Sequence, residues 1–139
     1  MLAVALSSGI LASYMARVYA LRRKSTLAMR QRKRALLQLL VRPPMAAIRA
    51  SVVERFGTCG KAACSCHSGH KHGPYYYLIQ CVAKGHVRKF QLKQPEQQQR
   101  AREAVACFNE FYDTLEELSQ INAELLRRGE PIDSTGMTT

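Results

Sequence analysis

Residues 59–72 read CGKAACSCHSGHKH and carry three cysteines and three histidines. This segment is too polar and too rich in glycine to be a core segment. Zinc prefers four ligands, drawn from Cys sulfur and His nitrogen and arranged as a tetrahedron. Cys59, Cys64 and Cys66 with one histidine supply such a set. We therefore predict a structural Zn²⁺ site that organises the fold around this loop.

The identity of the fourth ligand is open between two histidines. His72 is favoured because Gly73-Pro74 follows it and fixes its direction just before a strand. His70 is the alternative, whereas His67 lies too close to Cys66 for independent geometry. The predicted ligands are thus Cys59, Cys64, Cys66 and His72. A reduced loop without metal and an iron–sulfur or thiol redox site are the competing interpretations.

Length and charge restrict the class of protein. The 139 residues allow one modest domain and an appendage, with 21 Lys and Arg against 10 Asp and Glu. Up to Lys93 there are 17 basic residues and one acid, Glu54, and from Gln94 onward there are four basic residues and nine acids. A basic body with an acidic final segment predicts a polyanionic partner, with nucleic acid, DNA rather than RNA, as the expectation.

The five cysteines argue against a secreted protein. Three are clustered and two, Cys81 and Cys107, are scattered in periodic segments, which is not a disulfide framework. We expect Cys81 and Cys107 to be small buried hydrophobic residues and the protein to be cytoplasmic. The first 16 residues are mostly apolar. A secretory signal would have cations before its apolar run, but here they come after it, from Arg17 onward, and the run is interrupted at residues 7–9. Residues 1–21 are a packed helix, an over-extended start or, less favoured, a membrane anchor.

Periodicity predicts an α+β fold. Residues 11–40 are composed of helix formers, with Ser25 or Thr26 as a break or cap and Pro43-Pro44 as the end. Residues 45–56 suit a strand or a short helix, whereas residues 75–82 and 86–93 predict a β-hairpin turning at Lys84-Gly85. The predicted parts are a basic helical extension (1–44), a zinc loop and hairpin (45–94), a long amphipathic helix (95–130) and a disordered tail (131–139).

The long helix carries an apolar stripe with steps of three and four residues. Its members are Ala101, Val105, Phe108, Tyr112, Leu115, Leu118, Ile121 and Leu125. A zinc hairpin is too short to cover this stripe. We therefore expect part of it to meet the N-terminal helix, a second copy of the chain or a protein partner.

The cysteine loop also resembles a known family. The residues C-G-K-x-x-C-x-C from Cys59 and H-G-P-Y-Y-Y from His72 are similar to the signature of a small uncharacterised prokaryotic family. Its members are domains of unknown function, often described beside mobile elements and transposases. The resemblance spans roughly residues 47–128, excludes the extension up to Arg42, and implies a DNA-related setting without an activity.

Two basic segments are the candidates for phosphate binding. The run between Arg22 and Arg34 contains no acids, so no pairing within its own helix explains it. Near the hairpin, the triplet Tyr75-Tyr76-Tyr77 is either core and interface or a stacking platform beside cations. The predicted nucleic-acid-binding residues are Arg22, Arg23, Lys24, Arg30, Arg32, Lys33, Arg34, Lys61, Lys71, Arg88 and Lys89.

Three functions are compatible with these patterns. The first is a non-enzymatic zinc module that binds nucleic acid, as an accessory to transposition or regulation. The second is a protein-interaction adaptor in which the acidic C-terminal helix is the working surface. The third is a metalloenzyme, which is disfavoured because a four-ligand set leaves no open position and Glu54 is the only acid before Lys93.

Overall fold

The computed structural model describes residues 8–42 and 44–133, which form two compact units. The helical unit comprises residues 8–42 and 112–133, and the sheet unit comprises residues 44–111. Within these residues, three α-helices and one three-stranded antiparallel sheet confirm the predicted α+β class. Most of the predicted disordered tail, residues 134–139, and the first seven residues of the apolar start lie outside the described residues.

The predicted break at Ser25 separates two helices, α1 (Ser8–Arg22) and α2 (Thr26–Leu40). Ser25 has extended backbone angles, and its hydroxyl accepts a hydrogen bond of 3.2 Å from the Ala28 amide. This bond satisfies an N–H group that has no partner within the helix, so Ser25 is the N-cap of α2.

Side chains from α2 and the end of the chain form the core of the helical unit. Met29 and Leu36 lie on the buried side of α2, two turns apart. They pack with Leu21 and with residues of helix α3 (Pro95–Arg127). The α3 residues in this cluster are Ile121, Leu125 and the half-buried Leu118. The expectation that the stripe meets the N-terminal helices is therefore confirmed for its last members.

A network of charged side chains supports the end of α1. The Glu124 carboxylate, only 8 % exposed, accepts from Arg127 and Arg128 at 2.7–2.9 Å. Arg128 also donates to the carbonyls of Lys24 and Arg22, at 2.9 and 3.2 Å. Carbonyls at a helix C-terminus lack helical partners and favour a cation. Glu124 thus orients an arginine that caps α1.

The sheet unit contains β1 (Ser51–Gly57), β2 (His72–Ala83) and β3 (His86–Leu92), with β2 in the centre. The predicted hairpin is confirmed, and Gly85 supplies the positive φ of +78° that its turn requires. For residues 45–56, the sequence suited a strand or a short helix. The strand is correct, although it begins only at Ser51.

Helix α3 covers one face of the sheet. Leu78, Leu92 and Ala101 are buried there, and the partly buried residues Ile48, Ala50, Val52, Tyr76 and Val105 pack against them. The segment before β1 is tied to α3 by a hydrogen bond of 3.0 Å from the Ile48 amide to the Ala104 carbonyl. The core of this unit is therefore small.

Two further sequence expectations are tested by burial and helix length. The expectation that Cys81 is buried is wrong, because this side chain lies near the end of β2, where both faces are exposed, and Cys107 is only half-buried. Among residues 8–42 and 44–133, no helix has both the length and the apolar character needed to cross a membrane.

The Glu124 network predicts a specific acid sensitivity. Hydrogen bonds from Arg127 and Arg128 lower the pKa of Glu124 from 4.5 to about 2. Its ionisation therefore stabilises the fold fully above about pH 4.5, and this contribution is lost as the pH falls toward 2. We expect Glu124→Gln to reduce the free energy of unfolding at neutral pH and to flatten its decline in acid, measured by urea unfolding at a series of pH values.

Glu103→Gln, which removes an exposed carboxylate from the same helix, is the matched control and should unfold like the wild type at every pH. An acid-induced decline that is equally steep in Glu124→Gln and in the wild type would contradict the role of this network.

Candidate metal centre

Three structural elements bring the predicted metal ligands together. Cys59 follows the end of β1, Cys64 and Cys66 lie at a short 3-10 turn (Ser65–Ser68), and His72 is the first residue of β2. The loop folds back through hydrogen bonds from the Cys64 amide to the Lys61 carbonyl and from the His67 amide to the Cys64 carbonyl, at 3.1 and 3.2 Å. The two ends of the loop, Cys59 and His72, therefore lie close to each other.

The ligand atoms of Cys59, Cys64, Cys66 and His72 all lie within 4.8 Å of one another. The sulfurs of Cys59 and Cys66 are 3.7 Å apart, and the Cys64 sulfur is 3.3 Å from Nε2 of His72. In a tetrahedral site with zinc–sulfur bonds of about 2.3 Å, neighbouring sulfurs are separated by about 3.8 Å. The group has the dimensions of a four-ligand metal site and can hold a metal ion.

The other two histidines of the loop take different positions. Nε2 of His67 lies 3.0 Å from the Lys61 carbonyl, so its ring braces the loop rather than joining the sulfurs. His70 is exposed and does not belong to the group of converging ligand atoms in the described chain. Between the two alternatives for the fourth ligand, the structure brings His72 to the thiols.

Hydrogen bonds around the sulfurs tune their protonation. The Cys66 backbone, followed by the side chains of Cys66, Cys59 and His72, lowers the pKa of Cys64 to about 6. The Lys61 backbone and then His72 lower the pKa of Cys59. Because the thiolate is the form that binds metal, these hydrogen bonds favour coordination at neutral pH.

The remaining two ligands have the opposite shift. The Cys59 amide donates to the Cys66 sulfur at 3.3 Å, but burial and the adjacent thiols of Cys64 and Cys59 raise the pKa of Cys66. Cys59 and then Cys64 raise the pKa of His72. A divalent ion would displace these protons, since neutral imidazole and thiolate are the coordinating forms.

Glycine is required next to the histidine ligand. Gly73 has a φ of +134°, and a Cβ atom there would lie 2.9 Å from the Arg55 carbonyl oxygen and from the Phe56 ring. In this region β1 has an irregularity between Arg55 and Gly57, and Gly57 pairs with His72. The close approach of the two strands at Gly73 thus places His72 opposite the end of β1.

The predicted phosphate-binding residues between Arg22 and Arg34 divide into two groups. Arg32 forms a bidentate ion pair with Glu117 at 2.7 Å, and Arg30 pairs with Glu130. Lys33 is only 8 % exposed and donates to the Ile132 carbonyl. Glu117 and Glu130, which are distant in sequence, therefore form ion pairs with a basic run that contains no acids. The others, Arg22, Arg23, Lys24 and Arg34, are exposed.

The predicted cations of the sheet unit are all exposed: Lys61, Lys71, Arg88 and Lys89. Two of them lie against aromatic rings, with Arg88 at 5.7 Å from the centre of Phe90 and Lys89 at 4.2 Å from the centre of Tyr77. Sequence reasoning did not select Arg55, which pairs with Tyr75 across the first two strands. Only the register of β1 reveals this neighbour, and that register was not assigned from the sequence.

A sequence model of one protein family matches residues 26–102, which is more than half of the chain. The chain belongs to this family, described as a domain of unknown function (DUF6788). The match begins within α2, earlier than the expected start near Ala47, and ends within α3, before the expected end near Arg128. Helix α2 is therefore part of the family domain. No curated protein and no solved structure matches the chain.

Proposed function

We propose that this protein is a non-enzymatic module in which a structural zinc ion supports a nucleic-acid-binding domain. The observation that carries the proposal is the convergence of Cys59, Cys64, Cys66 and His72 within 4.8 Å. Three thiols and one imidazole are a ligand set of structural zinc sites, whereas calcium and magnesium select oxygen ligands. Thiolate ligation is also consistent with a reducing, cytoplasmic setting.

A structural role for the ion follows from the number and origin of its ligands. Four protein ligands complete a tetrahedron and leave no position for water, which catalytic zinc requires. Within the described chain, the group includes no carboxylate that would serve as a base. An ion held by the end of β1, the loop and the start of β2 would join two strands, and its binding energy would become folding energy.

Binding of nucleic acid is supported by charge. Residues 44–111 contain ten Lys and Arg and four Glu, and the exposed cations include Lys61 and Lys71 in the metal loop itself. In the helical unit, Arg22, Arg23 and Lys24 are exposed in and after the last turn of α1. Such cations bind phosphate and make association strongly dependent on salt. A role beside a transposition or regulatory system, with DNA as the polymer, is the setting we propose.

A protein-interaction adaptor is the second candidate. It is favoured by the pairing of Arg30 with Glu130 and of Arg32 with Glu117, since these cations offset acids of the chain instead of facing a polyanion. The exposed Leu115 and Leu126 on α3 offer an apolar contact for a second copy or another protein. In this case the zinc ion would have a structural role only.

The zinc site predicts that metal and folding are coupled. We expect one zinc ion per chain after dialysis, and we expect Cys64→Ser to lose most of it and to unfold at a lower temperature, since a ligand is lost. Elemental analysis and thermal unfolding measure the two effects. Cys81→Ser, which removes an exposed thiol from β2, is the control and should retain its zinc. Equal zinc contents in the two variants would contradict the assignment.

The charge pattern predicts salt-dependent binding that depends more on the exposed cations at the end of α1 than on the ion-paired cations of α2. If three phosphates are contacted, affinity for a DNA oligonucleotide falls about 40-fold between about 50 mM and 200 mM salt. Replacing Arg22, Arg23 and Lys24 by Gln should make this dependence shallower, measured by fluorescence anisotropy.

The matched control replaces the ion-paired Arg30 and Arg32 by Gln and is compared with the double variant Arg22→Gln/Arg23→Gln, which removes the same number of charges. The control should change the salt dependence less. Affinity that is indifferent to salt in the wild type would rule out phosphate binding. A protein partner that remains bound after nuclease treatment would then favour the adaptor.

A further inference from the structure

The two faces of the sheet differ in what covers them. Side chains alternate along a strand, and Val52, Tyr76, Leu78 and Leu92 point toward α3. Their neighbours in sequence therefore point to the opposite side, which we term the open face. Its members are Ser51, Val53, Arg55, Tyr75, Tyr77, Ile79, Cys81, Val87, Lys89 and Gln91.

The open face repeats one arrangement twice, a tyrosine beside a cation on the adjacent strand. Arg55 of β1 is the register partner of Tyr75 of β2. On the other side of β2, the Lys89 ammonium lies 4.2 Å from the centre of the Tyr77 ring. Tyr75 is 38 % exposed and Tyr77 is partly exposed, so both rings are accessible from one side of the sheet.

The charge of this face has one sign. Among its ten members, all of which the structure describes, there are two cations and no acid. The only acid of the three strands, Glu54, pairs with Tyr76 in the register and so lies on the covered face. An apolar and aromatic surface that carries only positive charge is complementary to a ligand with flat rings and negative groups.

We propose that the open face binds single-stranded nucleic acid, with bases stacked on Tyr75 and Tyr77 and phosphates held by Arg55 and Lys89. This inference rests on the proposed function and names the strand form that it recognises. A duplex hides its base faces within the helical stack, whereas a single strand exposes them to aromatic side chains. Stacking needs only a ring, so the face selects for strand form and not for sequence.

When nucleic acid binds, the contact between Lys89 and Tyr77 is replaced by contacts that each side chain makes with the ligand. In the free protein the ammonium occupies the ring face, a cation–π contact worth little at an exposed site. An arriving phosphate offers the ammonium a stronger, charge-assisted partner, and the vacated ring can then accept a base. The metal loop adjoins the same end of the sheet, because Tyr75 lies three residues after His72. An ion bound by His72 would therefore help to hold the Arg55–Tyr75 pair in place.

The test compares variants that remove a ring with variants that keep one. Tyr75→Leu and Tyr77→Leu should each weaken binding of single-stranded oligothymidine by about fivefold or more, whereas Tyr77→Phe should bind like the wild type. Tyr14→Leu, at an exposed tyrosine on α1, is the matched control and should have little effect. Parallel titrations with single-stranded RNA and with duplex DNA identify the polymer and the strand form.

A spectroscopic signal supplements the affinities. The chain contains six tyrosines and no tryptophan, so its intrinsic fluorescence comes from tyrosine alone. A stacked base should quench this fluorescence, and the quenching should diminish in Tyr77→Leu.

Lys89→Gln leaves both rings in place and should make the salt dependence of binding shallower. Lys84→Gln, in the hairpin turn, is its control. This pair tests the face even if a leucine variant does not fold.

The outcomes separate this inference from the proposed function. Salt-dependent binding that the Tyr75, Tyr77 and Lys89 variants leave unchanged would overturn the assignment of the open face, and so would equal affinity for duplex DNA. Either result leaves the proposed function standing. Failure to bind any nucleic acid overturns both. Dimerisation of the wild type that Tyr77→Leu abolishes, measured by sedimentation, would instead assign the face to a second copy of the chain.

Discussion

The convergence of three thiols and one imidazole is the constraint on which the sheet unit depends. Cys59 follows the end of β1 and His72 begins β2, and their ligand atoms lie within 4.8 Å of those of Cys64 and Cys66. Holding these atoms together without an ion would bring several ionisable groups into one small space at an electrostatic cost. A divalent cation reverses this balance, because each thiolate then gains a positive partner.

The small size of the sheet unit explains why a metal ion at this site would be useful. The buried residues of the sheet unit are few, with Leu78, Leu92 and Ala101 forming their main cluster. Small domains bury too little apolar surface to offset the entropy of folding comfortably, and many of them add a metal. The helical unit is stabilised differently, by its own apolar cluster around Met29 and Ile121 and by the Glu124–Arg128 network. The covered face of the sheet thereby serves stability, and the open face is the one we propose for binding.

Much of this organisation could be predicted from the sequence, since its signals are local. The cysteine and histidine spacing indicated the metal loop, Ser25 the helix break and Lys84-Gly85 the hairpin turn. What could not be predicted depends on partners distant along the chain. Arg32 pairs with Glu117 and Arg55 with Tyr75, and neither pairing leaves a local pattern. The exposure of Cys81 was missed for a related reason, because it depends on which elements cover the end of β2, and no local pattern shows that.

The most direct test of the account examines the first coordination shell of the metal in the purified full-length chain. X-ray absorption at the zinc edge should show three sulfur atoms at about 2.3 Å and one nitrogen at about 2.0 Å. This result would establish a closed site made of Cys59, Cys64, Cys66 and a histidine. A shell of nitrogen and oxygen atoms only, or a protein that folds without stoichiometric zinc, would contradict the claim that one ion organises the sheet.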